Sequence, residues 1–204
     1  MGKIKAGATM SLDGFIAGPN DTGFDLLFKW YGAGDVVVPM PDSTAQVEDS
    51  RVSAATAELL RRERGSWGAL VVGRHLYDLT NAWNGRHPLD VTTVVLTHHP
   101  PEDRPAADED FVFVTEGIEA AVARAREIAG DKDVAVNGGQ MARQALEAGL
   151  LDEIGVDLVP VLLGAGTRLF DDKGPEAVEF EGPFLVTQGK GVTHLRYRVI
   201  KEPG

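Results

Sequence analysis

The sequence predicts an α/β protein with a mainly parallel central sheet flanked by helices and a C-terminal antiparallel β-hairpin. Short apolar runs that fit buried strands alternate with helical segments up to residue 161, as in parallel sheets whose strands are joined by helices. In the tail, His194, Arg196 and Arg198 alternate with apolar residues, which predicts a strand with one solvated face. The length of 204 residues suits a single domain over 1–204.

Glycine, proline and apolar spacing set the element boundaries in the first half of the chain. Segment 11–23 is rich in Gly, Asp, Asn and Pro, which favours a loop, and Gly65 is expected to cap the end of a helix. The predicted elements are a strand at 3–10, a loop at 11–23, a helix at 24–31, an irregular excursion at 32–49, a helix at 50–64 and a strand at 69–72.

The second half continues the alternation and then changes character. Gly189 and Gly191 flank Lys190 and supply the turn of the terminal hairpin. The predicted elements are strands at 91–97 and 111–115, a helix at 117–129, a strand at 133–137, a helix at 140–148, a strand at 152–161, and antiparallel strands at 177–180, 184–188 and 192–200.

Composition and charge exclude several classes of function. The net charge of −11 argues against nucleic acid as a partner, because a phosphate backbone repels an acidic protein. The absence of cysteine excludes disulfides, thiolate nucleophiles and cysteine-ligated metals. Neither a targeting segment nor an apolar run of membrane-spanning length is visible, so we expect a cytoplasmic protein that acts on a small molecule and has no membrane partner.

Two strand–glycine–helix turns are the strongest chemical signal. Each has a buried strand, then glycine, then a helix start, at Gly73 and at Gly138–Gly139. Free N–H groups at a helix start bind phosphate, and Arg74 would add a planar cation. Thr97 and His98 follow a third strand, so all three sites would meet at the carboxyl edge of a parallel sheet. Any one turn alone is more often a tight connection; together they predict a phosphate-bearing ligand.

Four other sites have a plain structural interpretation beside a functional one. Asp25 would be a proton donor if burial raised its pKa, but an Asp at a helix start is also favoured by the helix dipole. Asp13 suits an ordinary turn. His98 and His99 point to opposite faces of an extended segment and lack metal-ligand spacing, so no metal is predicted. Trp83 is the tryptophan best placed to wall a cleft.

The ordered motifs resemble the dihydrofolate-reductase-like fold and, within it, the RibD C-terminal group of riboflavin-pathway reductases. The segments that carry the resemblance are ATMSLDGFIAG (8–18), VGRHLY (72–77), VLTH (95–98), VNGGQ (136–140), LDEI (151–154) and PVLLGAG (160–166).

The resemblance implies NADPH as the cofactor. It places Gly73, Arg74 and His75 at the phosphates, Thr97 and His98 near the adenosine ribose and its extra phosphate, and the pyrophosphate at Gly138, Gly139, Gln140 and Met141, through a cis Gly138–Gly139 peptide. It also implies a nicotinamide bordered by Ala8, Ile16, Ala17 and Gly18, a substrate at Met10, Asp13, Trp83 and Gly164, and a proton from Asp25.

The expected function is therefore hydride transfer from NADPH to a pterin-, pyrimidine- or flavin-precursor-like substrate, as in 5-amino-6-(5-phosphoribosylamino)uracil reductase. The proton would come from Asp25, from water or from the substrate. The alternatives are a nucleotide-binding module of the same fold without turnover and a dehydrogenase of the Rossmann type, although Thr97–His98 stands where the latter needs an acidic residue. The apolar strands of the tail are compatible with a homodimer.

Overall fold

An eight-stranded sheet organises the residues that the computed structural model describes, which are 2–39, 49–102, 110–170 and 177–201. The strands are β1 (Ile4–Met10), β2 (Phe15–Ala17), β3 (Val36–Val38), β4 (Ser50–Val52), β5 (Trp67–Gly73), β6 (Thr92–Leu96), β7 (Phe111–Val114), β8 (Asp133–Asn137), β9 (Glu153–Leu158), β10 (Thr167–Arg168), β11 (Phe180–Gln188) and β12 (Thr193–Val199). The α-helices are α1 (Phe24–Leu27), α2 (Ala54–Ser66), α3 (Arg74–Leu79), α4 (Ile118–Ala129) and α5 (Gln140–Glu147), and 3-10 turns span Lys29–Gly32 and Asn81–Gly85.

The sheet order is β11-β12-β9-β1-β8-β5-β6-β7. Every pair from β9 to β7 is parallel, and β12 and β11 add an antiparallel hairpin at one side. The predicted fold class, dihydrofolate-reductase-like with a C-terminal hairpin, is confirmed. In this register Gly7 lies opposite both Asn137 and Gly155, and Thr9 lies opposite Asp157.

Apolar residues pack on both faces of the sheet. On one face, α4 and α5 cover a large cluster that includes the fully buried Val71, Val94 and Ile4. Burying a side chain of this size contributes about 1.5–3 kcal/mol. On the other face, two smaller clusters form around Trp30 and around Tyr77 and leave the middle of the sheet between them. That gap between the clusters becomes the floor of a cleft.

The loop predicted at 11–23 contains a strand. Phe15–Ala17 forms β2 and pairs with β10, with Ala17 opposite Thr167. A strand of three residues carries almost no local pattern, and its partner lies at the other end of the chain. The helix predicted at 24–31 is shorter than expected, because α1 ends at Leu27 and a 3-10 turn continues the segment.

The helix predicted at 50–64 begins later and ends later. Ser50–Val52 instead forms β4, which pairs with β3 from the predicted excursion, whose residues 40–48 lie outside the described ranges. The α2 helix starts after Ser53, whose hydroxyl accepts a hydrogen bond from the Thr56 N–H at 3.3 Å. It runs through Gly65 to Ser66, so Gly65 is not a C-cap.

The terminal hairpin is confirmed with one change. The strand predicted at 177–180 is not found as such, because 177–179 are irregular and Phe180 begins β11. This one strand includes the predicted 184–188 and has an irregularity in its pairing between Glu181 and Leu185. Gly191 has φ of +77° in the turn that joins β11 to β12, a conformation that favours glycine.

Candidate functional site

The carboxyl ends of β5, β6 and β8 open into one cleft of about 1840 Å³. The cleft continues from this edge across the exposed middle of the sheet. Its lining includes most of the residues predicted to hold a cofactor, namely Ala8, Ile16, Ala17, Gly73, Arg74, His75, Thr97, His98, Gly138, Gly139, Gln140 and Met141, together with Trp83.

The turn from β8 into α5 is crowded at Gly138 and has a backbone conformation that favours glycine at Gly139. A Cβ on Gly138 would lie 2.9 Å from Ile16 Cδ1, and Gly139 has φ of +72°. The Gly139 N–H donates to the Leu169 carbonyl at 2.8 Å, which orients the turn. No described side chain caps the first turn of α5, so its N–H groups are available to an anion in the cleft.

The Gly138–Gly139 peptide is trans. The resemblance implies a cis bond here, but within the described ranges the single cis peptide is Gly182–Pro183. That implication is wrong for this structure.

The turn from β5 into α3 carries two polar side chains that already have partners. Arg74 Nε lies 2.7 Å from Asp78 Oδ1, and its Nη1 donates to the His99 carbonyl at 2.7 Å. His75 Nε2 lies 3.0 Å from Asp21 Oδ2. The Arg74 guanidinium and the His75 ring therefore lie at the rim of the cleft with partly exposed carboxylate partners, from which an entering phosphate could recruit them.

The end of β6 places Thr97 and His98 at the same rim. Thr97 is buried, and its hydroxyl donates to the His99 carbonyl and accepts from the His99 N–H. His98 is exposed and has no hydrogen-bond partner within the described ranges, so its ring is free to meet a ligand. The third strand end predicted from the sequence thus lies beside the other two.

On the β1 side, Ala8, Ile16 and Ala17 line the cleft, whereas Gly18 lies behind them and donates its N–H to the Thr22 carbonyl at 2.8 Å. A Cβ on Gly166 would lie 2.0 Å from the Ala17 carbonyl oxygen, so the 160–166 loop packs directly against this wall.

Asp13 anchors that loop. Its carboxylate accepts hydrogen bonds from the Ser11 hydroxyl at 2.5 Å and from the N–H groups of Leu163 and Gly164 at 3.2 and 2.7 Å. The Ser11 hydrogen bond is the main cause that lowers the pKa of Asp13 to about 2, and the loop N–H groups add to it. Met10, Asp13 and Gly164, predicted to contact substrate, are not among the residues that line the cleft.

Asp25 lies on the solvent side of α1. Its side chain is exposed, and it is not among the residues that line the cleft. The burial that would make it a proton donor is therefore not found.

The floor of the cleft carries a cluster of charged residues that the sequence analysis did not predict. Asp157 Oδ1 lies 2.8 Å from His194 Nδ1 and 2.9 Å from Arg196 Nη1. Arg196 also binds Glu63 with two hydrogen bonds, at 2.7 and 2.9 Å. Burial alone would raise the pKa of Asp157, but the hydrogen bond from His194 and the charge of Arg196 outweigh it and lower that pKa.

The alternation of polar and apolar residues in β12 singles out His194 and Arg196, but it predicts the wrong surroundings for them. His194 and Arg196 were expected on a solvated face, yet His194 is fully buried and the Arg196 side chain is 12% exposed. That face is covered by α2 through Glu63 and by Thr56, whose hydroxyl lies 3.1 Å from His194 Nε2. A charged strand face beneath a cleft has the same pattern as one in water.

Two further polar side chains line the cleft from opposite sides. Burial, helped by the charge of Asp157, raises the pKa of Tyr31, so its phenol stays protonated. Burial also lowers the pKa of His87 to about 3. His87 Nδ1 accepts the Leu89 N–H at 3.0 Å, which leaves the proton of the neutral ring on Nε2.

None of the described helices is long and apolar enough to cross a membrane. Within the same described ranges, no three His, Asp or Glu side chains are grouped so that they could hold a metal ion.

Comparison with known proteins shows the family of this chain and the proteins that share its fold. The family model of the RibD C-terminal domain matches residues 3–194. A stretch of 104 residues, half of this chain, is 27% identical to uncharacterized protein YwjB of Bacillus subtilis (strain 168) and spans 58% of that protein.

Two solved structures share the fold over nearly the whole chain. A putative riboflavin biosynthesis protein from Shewanella sp. PV-4 has a TM-score of 0.66 and 22% identity, covering 98% of this chain and 99% of that one. Dihydrofolate reductase from Enterococcus faecalis, complexed with NADP(H), has a TM-score of 0.54 and 16% identity, covering 98% and 97%. At these identities the likeness concerns the fold alone.

Proposed function

This chain belongs to the RibD C-terminal domain family, and from that premise we propose that it is an NADPH-dependent reductase. The substrate is a small pterin-, pyrimidine- or flavin-precursor-like ring, and the reaction is of the 5-amino-6-(5-phosphoribosylamino)uracil reductase type. The observation that carries the proposal is the single cleft that joins the glycine turns at Gly73 and Gly138–Gly139 to the middle of the sheet. It suits a ligand with an anionic backbone at one end and a flat ring at the other.

The turn at Gly138–Gly139 supports a pyrophosphate because it brings backbone close to the ligand. A Cβ at Gly138 would crowd the Ile16 side chain, and the first N–H groups of α5 are uncapped. Those N–H groups and the positive end of the helix dipole favour an anion. In this proposal Gln140 and Met141 begin the helix beneath the phosphates.

The rim at Arg74 supports the choice of NADPH over NADH. Arg74, Thr97 and His98 lie together beside the carboxyl ends of β5 and β6. A guanidinium binds phosphate oxygens in a bidentate geometry, so the extra phosphate of NADPH would compete with Asp78 for Arg74. His75 contributes a second ring at the same rim.

A cofactor bound in the cleft would supply the hydride, and this chain's residues would orient the reactants. Ala8, Ile16 and Ala17 form an apolar wall against which a nicotinamide can lie, with Trp83 on the far wall of the cleft. A C=N or C=O carbon of the substrate accepts the hydride, its π electron pair moves to the nitrogen or oxygen, and that atom takes a proton from water. Asp25 is left out of this step because it is exposed.

Consumption of NADPH tests the proposal. The purified protein is mixed with NADPH and a panel of pterins, flavin precursors and quinones, and the near-ultraviolet absorbance of NADPH is followed. We expect oxidation with at least one pyrimidine- or pterin-like member. Tight NADPH binding with no oxidation across the panel would instead support a nucleotide-binding module without turnover.

The proposal extends to the assembly of the protein. We infer one domain over 1–204 that forms a homodimer and works in the cytoplasm. The outer strand β11 leaves its free edge and the exposed side chains of Phe184 and Val186 available for a second copy. Light scattering on the eluting protein measures the mass directly.

A further inference from the structure

We propose that Asp157 is the residue that selects and orients the substrate, by accepting a hydrogen bond on Oδ2 from an N–H group of the substrate ring. This inference rests on the proposed function, since it assigns the substrate end of the same cleft. The chemical class that Asp157 would select is a planar heterocycle with an N–H beside a carbonyl. Asp157 lies on β9, away from Asp25, the acidic residue expected to act in α1.

The two oxygens of Asp157 are in different environments. Oδ1 is held by His194 Nδ1 at 2.8 Å and by Arg196 Nη1 at 2.9 Å. No described residue donates to Oδ2, although Asp157 lines the cleft and its side chain is 20% exposed. A carboxylate fixed through one oxygen, with its second oxygen open to a cavity, is a preorganised acceptor.

Arg196 and His194 hold this carboxylate still. Arg196 is itself clamped by Glu63 through two hydrogen bonds, and His194 is fully buried with Thr56 on its other nitrogen. Each partner of Asp157 is therefore anchored to α2. The carboxylate cannot turn without breaking that network, which is the property required of a group that sets the orientation of a ring.

The position of Asp157 matches the place where a ring must lie. Asp157 is opposite Thr9 on β1, and β1 is next to β8, which leads into Gly138. Two strand spacings, about 10 Å, separate β9 from β8. Between them Gly7 faces Gly155, and a Cβ on Gly7 would lie 2.7 Å from the Gly155 carbonyl oxygen. A Cβ on Gly155 would lie 3.2 Å from the Arg196 side chain, so Arg196 covers Gly155. The part of the floor without a side chain is the backbone of Gly7, against which a flat ring can lie.

A hydrogen-bond donor complements this acceptor. Tyr31 lines the same part of the cleft, and its hydroxyl has no partner within the described ranges. The Tyr31 ring stacks on Trp30, with ring centroids 3.9 Å apart. The Trp30 ring in turn lies 5.3 Å from the ring of His194, the hydrogen-bond partner of Asp157. An acceptor beside a donor matches a ring edge on which an N–H stands beside a C=O.

Lys5, Arg62 and Arg64 also line the cleft, but the carboxylates in contact with Arg196 disfavour an anion directly at Asp157. Glu63 and Asp157 flank the guanidinium of Arg196. Its Nε and Nη2 donate to Glu63, and its Nη1 donates to Asp157. A phosphate would meet two carboxylates. The ring edge of the substrate, and not a phosphorylated substituent, belongs at Asp157.

A pair of small rings tests the assignment without a known substrate. Uracil carries N–H groups beside carbonyls, and 1,3-dimethyluracil has the same ring without N–H. Binding of each to the NADP+-loaded protein is measured by ligand-observed NMR. We expect uracil to bind about 10- to 100-fold more tightly than the dimethyl ring, a ratio suited to one hydrogen bond to a charged acceptor. In Asp157→Asn the ratio should fall to near 1.

Kinetics provide the second measurement, on whichever panel acceptor is reduced. Asp157→Asn should lower kcat/KM about 10- to 100-fold with the NADPH dissociation constant unchanged within twofold. Glu63→Gln is the matched structural control, because it weakens the clamp on Arg196 without removing the free oxygen, and it should lower thermal stability more than kcat/KM. Tyr31→Phe leaves the network intact and should weaken both rings, because both keep the carbonyl groups to which the Tyr31 hydroxyl would donate.

The outcomes separate this inference from the proposed function. If Asp157→Asn keeps both the uracil preference and kcat/KM, or if Tyr31→Phe and Asp157→Asn bind both rings as the wild type does, the assignment of Asp157 is overturned while the reductase stands. If the wild type neither binds NADPH nor oxidises it, the reductase fails, and the ring preference measured on the cofactor-free protein still decides the role of Asp157.

Discussion

Arg74 and Asp78 form an ion pair one helical turn apart, with Arg74 Nε at 2.7 and 2.9 Å from the two carboxylate oxygens of Asp78. The pair lies at the rim where the extra phosphate of NADPH is proposed to bind. Because both side chains are partly exposed, the pair itself contributes little to stability. Asp78 therefore acts mainly as a competitor that a phosphate must displace.

Substitution of this pair in both directions tests cofactor choice. Arg74→Ala should weaken NADPH binding by about 10-fold or more and NADH binding much less, because the lost contact is to the additional phosphate. Asp78→Asn should have the opposite effect and tighten NADPH. Dissociation constants for both cofactors, measured by fluorescence titration, provide the comparison. Equal weakening of both cofactors in Arg74→Ala would remove Arg74 from this role.

Gly139→Val should abolish cofactor binding. Its φ of +72° and ψ of −135° lie where only glycine is relaxed, and a branched side chain there also enters the phosphate turn. Gly149→Ala is the matched control, since Gly149 also has a positive φ of +67° but has open space around it, outside the cleft. Both variants should lose about 1–3 kcal/mol of stability. Only Gly139→Val should lose NADPH, as followed by calorimetric titration.

The carboxyl edge could be predicted from the sequence because its signals are local. In Val136–Gln140 the strand, the glycines and the helix start follow one another directly, and the same is true at Gly73. Parallel β-strands with helical connections bring such turns to one edge whatever the details of the strand order. The other parallel strands of the sheet were predicted within one or two residues for the same reason, whereas β9 ends at Leu158, three residues before the predicted end.

The floor of the cleft could not be predicted in this way. Asp157 and His194 meet only because β12 pairs antiparallel with β9, and nothing within either strand specifies that partner. The position of Asp25 illustrates the converse. An acid between apolar neighbours is buried only if its helix turns that side inward, and the early end of α1 at Leu27 leaves Asp25 exposed.

Asp25→Asn should retain kcat/KM within about twofold. The side chain is exposed and outside the lining of the cleft, and surface substitutions of this kind change stability by about 0.5 kcal/mol or less. The measurement is the same NADPH oxidation assay, run from pH 5 to pH 9. A loss of 100-fold or a shifted pH profile would return Asp25 to the reaction.

Asp13→Asn should loosen the 160–166 loop and make the stability of the protein less dependent on pH in acid. The folded pKa of Asp13, about 2, lies below the ordinary 3.8, so its ionised form favours the folded state. That contribution is present above pH 3.8 and is lost as the pH falls through about 2. Between pH 4 and pH 2 the melting temperature of the wild type should fall more steeply than that of Asp13→Asn. Parallel slopes would show that the hydrogen bonds to Leu163 and Gly164 do not favour the charged form.

His87 should make the stability of the protein depend on pH over a higher range than the one in which Asp13 acts. Its folded pKa, about 3, is below the ordinary 6.5 because burial disfavours the imidazolium. The unfolded chain therefore takes up a proton first, and stability is lost as the pH falls from 6.5 through 3, by up to about 1.4 kcal/mol per pH unit. In His87→Asn this slope should disappear, because the amide can accept the Leu89 N–H but does not titrate. Urea unfolding of both proteins at intervals from pH 7 to pH 4 measures the difference, and identical slopes would mean that the ring is hydrated enough to be protonated in the folded state.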